Sequence, residues 1–161
     1  MMKIQMIEFE INGNPYGMEI GYINGIHKAS TISITPLPNL SEAVKGMTIL
    51  RDKIYPVVDL QRKLGFEKIS IGPDTKFITL NVKGEDVGVL VEEVTDIFRP
   101  SKEDIRDAKN ITFGKNPFIS SLVKANDRFV IVLDAEKLFK DDEILSMNLD
   151  SILEETQDLD G

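Results

Sequence analysis

Cysteine and tryptophan are absent from the chain, and histidine occurs once, at position 27. Without cysteine there is no disulfide framework, no thiolate metal site and no cysteine nucleophile, a composition that suits a reducing compartment. His27 stands between Ile26 and Lys28 with no second ligand at metal spacing and no G-x-S-x-G, so it reads as a strand-surface residue, not a base or metal ligand. No apolar run reaches the roughly 18 residues that a membrane span needs. The opening MMKIQMIEFEING alternates instead of forming a secretory apolar block, so no signal peptide is read and a cytoplasmic protein is expected. Phosphate-binding glycine loops are missing too: Gly84 and Gly88 lack the G-x-G-x-x-G frame, and no G-x-x-x-x-G-K-[ST] occurs.

Acidic residues are plentiful, but their placement argues against catalysis. Glu92–Glu93 are neighbours on an extended segment and point to opposite faces, whereas acid–base work needs two carboxyls held together in a shielded site. Asp141–Asp142–Glu143 and Glu154–Glu155 belong to an acidic tail. Eight of the 27 acids lie between Asp141 and Gly161, where there is no Lys or Arg; the other 140 residues hold 19 acids against 19 bases. The net charge of −8 is therefore that of a neutral body with an acidic tail. Nucleic acid and direct membrane insertion are poor partners for such a chain, because both call for clustered cations or long apolar segments. No enzyme is expected, and no cofactor.

What the sequence does contain is alternation and turns. Ile7, Phe9 and Ile11 alternate with Glu8 and Glu10, the period of a half-buried strand. Asn12-Gly13-Asn14-Pro15 is a turn signal, after which Tyr16, Met18 and Ile20 resume the alternation. Residues 21–28 (GYINGIHK) suggest a short helical turn leading into another strand, and the two prolines of TISITPLP mark residues 31–38 as loop. In GMTILRDKIYPVVDLQRKLG, Gly46–Leu50 and Ile54–Val58 read as strands around a charged three-residue tip, Arg51-Asp52-Lys53. Asp59 can cap a short helix anchored by Leu60 and Leu64 and stopped by Gly65.

The plan then repeats. RDKIYPVVDLQRKL and NDRFVIVLDAEKLF both read charged turn, strand, aspartate and short amphipathic helix, with Asp59 and Asp134 75 residues apart. PYGMEIGYINGI and DVGVLVEEVTDI match more loosely around Gly17 and Gly88. Such an internal duplication implies two small β-units, each too small to bury a good core alone. The expected organisation is one domain over residues 1–140, with approximate halves 15–66 and 76–140 sharing the strand at 3–11. A partly helical tail follows over 141–161, with Leu145, Leu149, Ile152 and Leu153 on one face. The seam between two such units is a natural place for a partner helix or peptide. Ile20, Ile23, Ile26 and Val94 are candidates to line it, against the plainer alternative that they are core. Arg51 and Asp52 are either contacts or solvated turn residues.

The pattern resembles the CheW family of chemotaxis coupling proteins over roughly residues 4–140. Its most specific motif, Gly-Val-x-x-Leu-Arg-Gly followed by Pro-Val-x-Asp-Leu, stands here as Gly46-Met47-Thr48-Ile49-Leu50-Arg51-Asp52 and Pro56-Val57-Val58-Asp59-Leu60. Tyr16-Gly17-Met18-Glu19-Ile20, VGVLVEEV (87–94) and VLDAEKLF (132–139) support it. The resemblance implies a mainly β fold of two intertwined five-stranded SH3-like barrels with short helices and a C-terminal helix. It implies a monomeric adaptor without catalysis that links the cytoplasmic tips of methyl-accepting chemoreceptors to the histidine kinase CheA, and meets other copies of itself in arrays. Ile20, Ile23, Ile26 and Val94 then match receptor-groove positions, while Gly46, Arg51, Asp52 and Ile54 fall on the side facing the kinase's regulatory domain. Asp52 stands where the family usually has glycine, within reach of Arg51 or Lys53, and Gly25 stands where an acid is common. Other readings are the coupling half of a CheV-type protein and, with little aromatic support, a small-molecule-binding β-barrel.

Overall fold

The computed structural model describes residues 4–38, 41–107 and 116–139. The first hairpin joins β1 (Met6–Ile11) to β2 (Asn14–Glu19) through Asn12-Gly13. A 3₁₀ turn at Ile20–Tyr22 then leads into β3 (Ile23–Lys28), as the sequence suggests. β4 (Val44–Leu50) and β5 (Lys53–Asp59) form the second hairpin, followed by the one-turn helix α1 (Leu60–Lys63). β6 (Lys76–Val82), β7 (Glu85–Val91), β8 (Glu93–Phe98), β9 (Ile105–Asp107), β10 (Ile119–Ala125), β11 (Arg128–Leu133) and α2 (Ala135–Leu138) complete the described chain. The tail 141–161 and its expected helix lie outside the described residues.

Three hairpin tips use two residues with left-handed backbone: Asn12-Gly13, Arg51-Asp52 and Lys83-Gly84. Such a pair gives the type I′ turn, whose twist matches the strands it joins. That constraint shortens the tip expected at Arg51-Asp52-Lys53, because Lys53 pairs with Leu50 and belongs to β5. Likewise β7 begins at Glu85, directly after its two-residue turn. Both helices start on a buried or half-buried aspartate. Asp59 accepts from the Arg62 amide at 3.1 Å, and its second oxygen accepts from the Ile69 amide at 2.8 Å. Asp134 accepts from the amides of Glu136 and Lys137.

The strands form two sheets, in the orders β8-β1-β2-β11-β10-β9 and β3-β6-β7-β5-β4. Each repeat therefore gives its first hairpin to the other repeat and keeps the rest of its strands, three in the first repeat and four in the second. β1–β2 joins β8, β10 and β11, and β6–β7 joins β3, β4 and β5. Halves cut at 15–66 and 76–140 do not describe this sharing, since β2 lies with β11 and β6–β7 lie with β5. The exchanged hairpins enter through the only parallel pairings among the described strands, Val57 opposite Gly88 and Val132 opposite Gly17. One sheet has five strands as expected. The other has six, because the three-residue β9 adds to β10, a segment too short to register as a strand in the sequence pattern.

Side-chain alternation divides the core in three. Ile7, Phe9 and Ile11 of β1 and Ile78, Leu80 and Val82 of β6 meet in one shared cluster, with Val87, Val89 and Val91. The intervening residues turn the other way. Phe77 and Leu90 pack with Tyr55 and Val57 inside the five-stranded sheet, and Met6 packs with Val123, Val130 and Val132 inside the six-stranded one. Burial on both faces explains the uninterrupted apolar run VGVLV. Full burial of each such side chain is worth about 1.5–3 kcal/mol.

Gly88 makes room for this packing: a Cβ there would lie 1.9 Å from the Phe77 ring. At the matching Gly17 a Cβ would meet Val130 at 3.0 Å and the Ile7 carbonyl at 3.2 Å. Gly88→Ala should cost about 3 kcal/mol and Gly17→Ala about 1 kcal/mol, the upper and lower ends of overpacking losses. Urea unfolding of the two variants checks the order, and equal losses would mean that the Phe77 ring yields freely.

Candidate partner-binding surfaces

β3 and β8 hold the same position in the two repeats, each forming an outer edge of its sheet. Matching the repeats on Gly17 and Gly88 sets Ile23 against Val94 and Ile26 against Ile97. Ile23 and Val94 are half-buried and pack on the shared cluster together with Tyr22. Ile26 and Ile97 stand further out, 39% and 47% exposed. Ile20, half-buried, belongs to the 3₁₀ turn before β3, where its amide donates to the Gln5 carbonyl. The four residues expected to line a groove thus fall on two edge segments that border one core. Ile97 was missed by sequence reading, although the repeat alignment that pairs it with Ile26 contains the signal.

His27, half-buried on β3, folds its ring back toward Gly25: a Cβ at Gly25 would lie 2.9 Å from Nε2. The Thr79 hydroxyl donates to the Gly25 carbonyl from β6. A side chain at position 25 would have to displace the His27 imidazole and press on the Thr79 hydroxyl.

The second surface surrounds the β4–β5 hairpin. Ile49 is 67% exposed and pairs directly with Ile54. Both line a pocket of about 320 Å³ with Ser33, Thr35, Leu37, Met47 and Thr48. A bridge between Thr35 and Met47, both lining the pocket, fastens the preceding loop to the outer edge of β4. Arg51 and Asp52 are exposed at the tip beside it, and among the described residues no ion pair joins Arg51, Asp52 or Lys53. Asp52 instead carries a φ of 65°, the conformation a glycine would supply and one that aspartate tolerates better than most residues. Gly46 does not share this exposure. It is buried at a bulge with φ 143°, and a Cβ would lie 2.1 Å from the Thr35 carbonyl oxygen. It shapes the edge strand and presents no side to a partner. Ile49, Met47 and Leu37 carry the apolar surface that sequence reading assigned to Ile54 alone.

Polar contacts hold the segments leading to these surfaces. The Tyr22 hydroxyl donates to Glu136 of α2 at 2.9 Å, and Lys83 of the β6–β7 turn lies 3.6 Å from the other Glu136 oxygen. At the matching place in the first repeat, Gln61 of α1 accepts from the Asn12 amide of the β1–β2 turn at 3.0 Å. Arg62 also pairs with Glu42 and holds that carboxyl below its usual range. Among the described residues no cluster of three or more His, Asp or Glu could hold a metal ion, and no helix is long and apolar enough to cross a membrane.

Burial first, and the Glu136 carboxylate second, push the Tyr22 phenol from 10.0 up to about 12. The unfolded chain ionises this group near pH 10, so its contribution to stability is whole below that pH and is lost as pH rises through about 12. Tyr22→Phe should flatten that alkaline decline, as thermal melts across this interval would show. Identical slopes for the two proteins would remove Tyr22 from the explanation.

Comparison with known proteins gives a consistent result. A family model described as CheW-like domain matches residues 5–143. The chain is 28% identical over 141 residues to the chemotaxis protein CheW of Klebsiella aerogenes, covering 87% of this chain and 84% of that protein. To the CheW of Thermotoga maritima it is 29% identical over 145 residues, covering 88% and 91%. The crystal structure of the scaffolding protein TtCheW from Thermoanaerobacter tengcongensis superposes with a TM-score of 0.78 at 26% identity, over 86% of this chain and 94% of that one. These matches agree with two SH3-like barrels built from exchanged hairpins, and the chain belongs to the CheW-like family of chemotaxis scaffold proteins.

Proposed function

We propose that this protein is a non-catalytic adaptor that couples the cytoplasmic tips of methyl-accepting chemoreceptors to the histidine kinase CheA, and acts in the cytoplasm. The observation that carries this reading is the presence of two apolar surfaces at different sheet edges. An adaptor must bind two partners at once, and one site cannot do so. The β3 and β8 edges, with Ile20, Ile23, Ile26, Val94 and Ile97, suit a receptor helix laid along the border of the shared core, a helix-in-groove contact. The β4–β5 face, with Ile49, Ile54, Arg51 and Asp52 around the apolar pocket, suits the kinase's regulatory domain. Its centre is apolar and its rim is charged, the common anatomy of a specific interface. Arg51 and Asp52 lie on that rim, where charges chiefly steer encounter and fix register.

Substitutions on the exposed residues separate the two contacts. Ile26→Asp and Ile97→Asp should each weaken binding of a receptor-tip fragment at least tenfold, about 1.4 kcal/mol, and leave kinase-domain binding unchanged. Ile49→Asp should do the reverse. Arg51→Ala should weaken kinase-domain binding while stability stays within about 0.5 kcal/mol, as for an exposed turn. Titration of each variant against each partner fragment is the test. Parallel loss of both contacts in every variant would overturn the assignment of two independent surfaces.

A further inference from the structure

Glu8 is 2% exposed in the middle of β1. Alternation puts it on the same face as Met6, toward the cluster inside the six-stranded sheet. Its counterpart in the other repeat, four residues before the turn, is Thr79, a neutral residue. A charge therefore occupies a place where a hydroxyl serves in the other barrel.

Its partners come from two other strands. Arg128, the first residue of β11, donates to the two carboxylate oxygens at 2.6 and 2.8 Å. The Thr95 hydroxyl donates to Oε2 at 2.6 Å and lies 3.3 Å from the Glu8 carbonyl. Thr95 sits between Val94 and Asp96 on β8, where the pairing with β1 shifts register after Glu8. Arg128 precedes Phe129, whose side chain stands out at the end of the β10–β11 hairpin, 56% exposed.

We infer that Glu8 is a positioning residue that links edge strand β8 to the β10–β11 hairpin, so that displacement of one changes the hold on the other. The Arg128 side chain is 50% exposed and can leave for solvent, whereas the carboxylate it leaves behind cannot. A buried charge deprived of its partner is strongly unfavourable. The two states are Arg128 docked on Glu8 and Arg128 released, with Thr95 and water left to satisfy the carboxylate. Because Oε2 accepts from both Thr95 and Arg128, a shift of β8 alters the bond that holds the hairpin, and release of Arg128 alters the bond at the β8 bulge. A two-state element of this kind is what coupling between the two segments requires.

Hydrogen exchange on the full chain tests the link without any partner. The significance of β8 as a partner-binding edge rests on the function proposed above, but the exchange result does not, so either can fail alone. Arg128→Met should speed exchange of the β8 amides bonded to β1 by about tenfold or more, with amides of the five-stranded sheet such as Ile78 and Val89 unchanged. Arg128→Lys should preserve most of that protection. In Glu8→Val/Arg128→Met the β8 amides should exchange at the rate of Glu8→Val alone. If Arg128→Met does not fold, Thr95→Val examines the link from the other end, with a change expected at Phe129 and Val130. Acceleration confined to the hairpin, acceleration spread evenly over both sheets, a β8 effect that persists without Glu8, or no response of the hairpin to Thr95→Val would each overturn the inference.

Discussion

Both sheets bury against a single apolar cluster, and the rest of the molecule follows from how that cluster is shared. Each repeat gives its first hairpin to the other sheet, so neither repeat can bury its strands by itself. The central strands β1 and β6 turn one face to the common cluster and the other to their own sheet's interior. Small units of this size are marginal when they stand alone. Exchange of hairpins makes their burial mutual. It also fixes where edges remain: β3 and β8 become equivalent outer strands, and their half-buried residues Ile23 and Val94 close over the same cluster.

The repeats use one scheme of fastening with different chemistry. An aspartate caps each short helix, and the second residue of that helix reaches across to a hairpin turn or to the segment beside it. In the first repeat this residue is neutral Gln61, bonded to the Asn12 amide. In the second it is Glu136, which takes Tyr22 and Lys83 together. Lys63 of α1 lies 5.7 Å from the ring centres of both Phe118 and Phe139, another tie from one repeat to the other. Rigid fastening of both barrels favours a protein whose surfaces must stand in fixed relation to each other.

Much of this was legible in the sequence, because alternation, turn residues and capping aspartates are local signals. The duplication could be read from Asp59 and Asp134, and the glycines at 17 and 88 proved to be equivalent packing positions. The exchange of hairpins could not be read, since pairing of β2 with β11 depends on contacts more than a hundred residues apart. The candidate site was legible in part. Placement at strand ends near the duplication junction pointed to Ile20, Ile23, Ile26 and Val94, and the repeat alignment held a signal for Ile97, but Ile49 needed the strand register to show that it stands outward. Gly46, expected on the kinase-facing side, lies buried at a bulge where the Thr35 carbonyl occupies the place of a side chain, a feature that a motif glycine does not disclose. The burial of Glu8 was invisible, because Glu8 and Glu10 look alike as the polar members of an alternating strand.

Simultaneous occupancy is the property that separates an adaptor from a protein with one interchangeable site. Sedimentation velocity of the chain mixed with a soluble receptor-tip fragment and the kinase's regulatory domain measures it directly. A bridging protein with separate surfaces yields a species containing all three components, at a concentration set by the two separate affinities. Displacement of one partner by the other, with only binary complexes at any ratio, would contradict the two-surface assignment.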